Sequence, residues 1–150
     1  MRCRSRLHRW NFYGGGGQKG EADMKALVIP DVHLKPYMFK EAAEWMRKGV
    51  ADRAVCLMDI PDDWNREYDI ELYAQTFDAA ISFAKEFPDT LWCYGNHDLC
   101  YLWNERESGY SRAAAYTVRN KLEELKEALP AGNQIRYIPV SYTHLTLPTT

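Results

Sequence analysis

The chain has 150 residues, 46% of them hydrophobic and 27% charged, with a formal net charge of −2. That is the composition of an ordinary globular domain with a sizeable core, and it excludes a low-complexity or disordered chain. No apolar run approaches transmembrane length, and an acidic body argues against a broad nucleic-acid-binding surface.

The charge is uneven. Residues 1–23 carry five Arg or Lys against two acids, and residues 24–139 carry fourteen against nineteen. The first segment lacks the apolar core of a secretory signal, and four glycines, Gly14–Gly17, interrupt any amphipathic transit helix. Codons for Lys19-Gly20-Glu21 can spell a purine-rich ribosome-binding sequence just before Met24. Residues 1–23 are therefore expected to be a non-native leader, with Met24 as the start.

From Met24 the elements follow in order. Lys25–Ile29 is a short apolar run ending at Pro30, a buried strand. Met38–Lys48 has a helical stripe at Met38, Ala42, Trp45 and Met46, stopped by Gly49. Arg53–Leu57 is a second strand, followed by an aspartate-rich loop. Ile70–Phe87 is a long amphipathic helix ended by Pro88, with Phe77 in its core stripe. Leu91–Cys93 is a third strand. Ser111–Leu129 is a helix with Ser111 as its N-cap, and Gln134–Ile138 a fourth strand.

Alternating strands and helices predict an α/β domain with a largely parallel sheet. Right-handed crossovers bring the carboxyl ends of the strands to one edge, where ligands bind in such sheets. The residues there are Asp31 and His33 after the first strand, Asp59 after the second, and Gly95-Asn96-His97-Asp98 after the third. Carboxylate, imidazole and amide oxygen without thiolate suit hard or borderline divalent ions. Asp62 and Asp63 read as turn and capping residues. Trp64, Tyr68, Tyr101 and Trp103 either line a pocket or cover the sheet edge. Cys56 and Cys93 read as small buried hydrophobes, and the absence of a CxxC pair points to a reduced, cytoplasmic protein.

The ordered set D-x-H, D-x-x-D and G-N-H-D, each after a strand, resembles the calcineurin-like metallophosphoesterases over residues 24 to about 138. The resemblance implies the amino-terminal half of a four-layer αββα sandwich. It implies hydrolysis of a phosphate ester or anhydride at a centre of two divalent metal ions: Mn, Fe, Zn or Ni. Asp31 and His33 would bind the first ion, Asp59 would bridge both, and Asn96 would bind the second. His97 would protonate the leaving oxygen, and Asp98 would orient His97. In the family the aspartate at the position of Asp62 lies outside the ligand set. The substrate would be a phosphoprotein, a nucleotide or a nucleic acid.

Two departures stand out. Met58 replaces the glycine usual before the bridging aspartate, which puts a side chain near the metals. The family's later histidines, in G-H and G-H-x-H segments, have no counterpart here. Val140–Thr150, VSYTHLTLPTT, resembles translated sequencing adapter, so the expected domain is cut near residue 139 and His144 is not read as a ligand. As written, the chain is expected to bind metal poorly and to turn over little. The alternatives are a non-catalytic interaction scaffold of the same fold and a single-metal binding domain.

Overall fold

The computed structural model describes residues 8–11, 24–106 and 108–137, the first of these as backbone. Strand β2, Lys25–Ile29, pairs in parallel with β3, Arg53–Cys56, which pairs in parallel with β4, Leu91–Trp92. In register, Leu27 faces Ala54, Ile29 faces Cys56, and Cys56 faces Trp92. All five are buried, while their neighbours Val28, Val55 and Leu91 are half-buried. The period of two in burial is that of a sheet with one fully covered face. β1, His8–Asn11, lies inside the stretch read as leader and runs antiparallel to β2. The rest of that stretch and residues 138–150 lie outside the described residues.

Helix α1, Tyr37–Arg47, links β2 to β3, and α2, Ile70–Glu86, links β3 to β4. Met38, Phe39 and Ala42 of α1 and Tyr73, Phe77 and Ala80 of α2 supply the buried stripes. Gly49 takes φ +66 just past α1, the left-handed stop its position requires. The Asp69 carboxylate caps α2 by accepting from Leu72 N. Helix α4, Ala115–Ala128, packs along α2 through Val118, Leu122 and Leu125. The architecture is α/β, built on a parallel three-stranded core.

Three sequence expectations change. The first concerns a helix not foreseen, α3, Asn96–Trp103, which begins inside the G-N-H-D motif. Second, α4 starts at Ala115 rather than Ser111; the Ser111 hydroxyl instead accepts from Ala114 N, capping the turn that leads into the helix. Third, the fourth strand reduces to one parallel bridge between Cys93 and Arg136, Ile138 being outside the described residues.

Candidate metal centre

The parallel ladder does not stop where the strands end. Val32 N, His33 N and Leu34 N donate to the carbonyls of Met58, Asp59 and Ile60 at 3.0, 2.8 and 3.0 Å. The two loops therefore advance side by side beyond the sheet. His33, Leu34, Met58, Asp59 and Asp62 all take positive φ, between +41 and +65. Left-handed backbone at five non-glycine residues is costly, and such strain gathers where a fold holds functional groups. Val32 points into the core while Asp31 and His33 stay outside it.

This brings Asp31, His33 and Asp59 together, with one donor atom of each inside 4.8 Å of the others. An ion with metal–ligand distances of about 2.1–2.3 Å spans that spacing with small side-chain adjustments. Among the described residues, no Lys or Arg ion pair involves Asp31 or Asp59. Burial raises the Asp59 pKa, opposed by the amide of His97. A buried carboxylate with no Lys or Arg partner is costly, and a divalent cation would relieve that cost. The donor set fits a hard or borderline ion.

The third strand delivers its motif as a helix start. Gly95 has no side chain to cap α3, so Asp59 of the neighbouring loop does it: Oδ1 accepts from His97 N at 2.8 Å. A Cβ on Gly95 would stand 2.1 Å from that same oxygen. Asn96, the first residue of the helix, is exposed beside it. His97 meets His33 edge to face, ring centroids 5.0 Å apart. Thus Asp31, His33, Asp59 and His97 converge, and Asn96 adjoins them through its chain neighbours.

Asp98 does not take the place expected of it. Its carboxylate is fully buried and accepts three backbone amides, Asp59 N at 2.8 Å, Gly95 N at 3.0 Å and Ile60 N at 3.2 Å. It fixes the Asp59 loop to α3. Burial, with the like charge of Asp59, pushes its pKa up to about 7 against those amides. The group at His97 Nδ1 is Asp62, whose Oδ2 lies 3.1 Å away. Consecutive residues of a helix do not face one another, which is why Asp98 cannot serve its neighbour. The hydrogen bond to Asp62 raises the His97 pKa, with burial acting in the opposite sense.

Asp62 is far more than a turn residue. It is 2% exposed, and its Oδ1 accepts from Tyr73 Oη at 2.9 Å and Tyr101 Oη at 2.6 Å. Its carbonyl faces His33 Nδ1 at 2.9 Å. A carbonyl only accepts, so His33 carries its proton on Nδ1 and presents the Nε2 lone pair. The loop between α3 and α4 closes over this pair: a Cβ on Gly109 would lie 3.5 Å from Asp62 Cβ and 3.7 Å from His97 Cε1.

Met58 resolves differently from its sequence reading. Its side chain is fully buried in the hydrophobic cluster, so it occupies the core and not the space at the metal ligands. Of the loop aromatics, Tyr101 is buried at the site, whereas Trp64, Tyr68 and Trp103 are exposed. Cys56 is buried, Cys93 is half-buried, and both are thiols. Among the described residues no helix is long and apolar enough to cross a membrane. The chain matches no protein-family model, no curated protein and no solved structure.

Proposed function

We propose that the chain carries the amino-terminal part of a metal-dependent phosphoesterase centre. The observation that supports this reading is the convergence of Asp31, His33 and Asp59 within 4.8 Å, beside His97. In this reading Asp31, His33 and Asp59 hold one divalent ion, and Asp59 with Asn96 contributes to a second. The ions, when bound, supply the positive charge that activates water and neutralises the phosphoryl oxygens.

The remaining roles belong to the chain. His97 has Nδ1 turned to Asp62, so Nε2 is the nitrogen left to meet a substrate. The bond to Asp62 raises its pKa, the direction that favours a donor to the leaving oxygen. Asp98 holds the Asp59 loop against α3 through its three amide contacts. The substrate class is a phosphate ester or anhydride, and the full fold is a two-sheet sandwich.

Manganese titration followed by isothermal calorimetry and paramagnetic resonance tests this reading, with p-nitrophenyl phosphate and its bis ester as turnover probes. Saturable binding of two ions, with any hydrolysis lost in His97→Ala but metal retained, supports the phosphoesterase. One ion and no hydrolysis would leave a single-metal binding domain. No ion at all would leave a scaffold.

A further inference from the structure

Both histidines of the site are held by one residue, through two different groups. The Asp62 carbonyl takes His33 Nδ1 at 2.9 Å, and the Asp62 carboxylate takes His97 Nδ1 at 3.1 Å. Asp62 does this with a left-handed backbone, φ +65, a conformation that aspartate adopts more readily than most residues. A pair of phenols holds its carboxylate. Tyr73 comes from α2 and Tyr101 from α3, and both donate to the same carboxylate oxygen. Both side chains are fully buried. The Tyr101 hydroxyl in turn accepts from Ser111 N at 2.8 Å, and its ring stacks on Tyr110 with centroids 4.5 Å apart.

The arrangement has a definite chemical consequence. The carbonyl and the carboxylate both act as acceptors, so each imidazole carries a proton on Nδ1, each neutral ring is the Nδ1–H tautomer, and both Nε2 atoms face away from Asp62. Removing the phenol donors would leave Asp62 Oδ1 buried without partners. Asp62 would then have to turn toward other donors, carrying its carbonyl and carboxylate with it. The two histidines would be released together although neither touches a tyrosine hydroxyl.

We propose that Tyr73 and Tyr101 are positioning residues that, acting through Asp62, set the ring orientation and tautomer of His33 and His97 at the same time. Their part in function rests on the reading of His33 as a metal ligand and His97 as a proton donor.

The test is long-range proton–nitrogen correlation of the imidazoles in the metal-free chain at alkaline pH. Wild type is expected to show His33 and His97 as Nδ1–H tautomers. Tyr73→Phe with Tyr101→Phe is expected to convert both rings to tautomer mixtures and to weaken Mn²⁺ binding about tenfold, the usual scale for a residue behind a ligand. Each single variant, which keeps one donor and most of the packing, is expected to shift both rings in the same sense to a smaller degree. Unchanged tautomers in a folded single or double variant would overturn the proposal, as would a shift in only one ring. The metal reading fails separately, by absence of Mn²⁺ binding to wild type, and the tautomer result still decides the clamp.

Discussion

Gly95 and Asp59 share one space: the position a Cβ would take on Gly95 lies 2.1 Å from Asp59 Oδ1 and 2.2 Å from its Cγ. The carboxylate that caps α3 is therefore admitted by the missing side chain. Gly95→Ala is expected to expel the Asp59 carboxylate, break its bond to His97 N and cost about 1–3 kcal/mol of stability. Metal affinity should fall with it. Urea unfolding and Mn²⁺ titration of the variant check both, and a variant with unaltered affinity would show that Asp59 is not a ligand.

Met58 sets two effects against each other. Its φ of +58 is strained for a residue with a side chain, by about 1–2 kcal/mol. Its side chain is fully buried, and truncating a buried methionine costs about 2–5 kcal/mol. Burial wins, so Met58→Gly is expected to destabilise the chain. Met58→Leu, which keeps the volume, is expected to cost less than about 1.5 kcal/mol. The urea midpoints of the two variants decide it; a more stable glycine variant would mean that strain dominates.

Asp59, His97 and Asp98 all have raised pKa values. Asp98 reaches about 7, chiefly through burial. Asp59 is raised by burial, and His97 by its bond to Asp62. In each case the folded chain holds the proton to higher pH than the unfolded one. The stability so contributed is complete below the ordinary values, 3.8 for the aspartates and 6.5 for the histidine, and is lost as pH rises through the folded value. Metal-free protein is therefore expected to lose thermal stability as pH rises from about 4 through 7 and beyond. Bound divalent ion competes with those protons, so saturating Mn²⁺ should reverse the trend. Melting curves across this range, with chelator and with Mn²⁺, give the two slopes. A metal-free midpoint that climbs through the same range would contradict the assignment.

Ser111 ties two loops of the site rim. Its hydroxyl donates to the Glu67 carbonyl and accepts from Ala114 N. Ser111→Ala is expected to cost about 1 kcal/mol, the scale of a lost cap. Chemical denaturation measures this, and Mn²⁺ affinity is expected to stay within about twofold because no metal ligand is touched.

Local signals made much of this structure legible in advance. Strand β2 spans the expected Lys25–Ile29, and α2 ends one residue from its expected boundary, because a continuous apolar run and a long helical stripe are properties of neighbouring residues. Asp31, His33 and Asp59 were readable as strand-end residues that a parallel sheet must gather. Helix α3 was not, since it is short and its cap, Asp59, comes from another loop. The partner of His97 was misread for the same reason. The resemblance gave that role to Asp98, whereas the contact comes from Asp62, thirty-five residues away. Two traces of it existed: Asp62 stands three residues after Asp59, and Tyr101 follows His97 by one helical turn.

The measurement that bears most directly on the metal centre is Mn²⁺ binding to wild type beside Asp59→Asn. The asparagine keeps an oxygen to accept from His97 N, so the fold should persist while the carboxylate charge is gone. Wild type is expected to bind Mn²⁺ saturably, and Asp59→Asn to bind at least about tenfold more weakly at a metal-free melting temperature no lower than that of wild type, because the costly buried charge is gone. Equal binding by the two proteins, or none by wild type at millimolar Mn²⁺, would contradict the account.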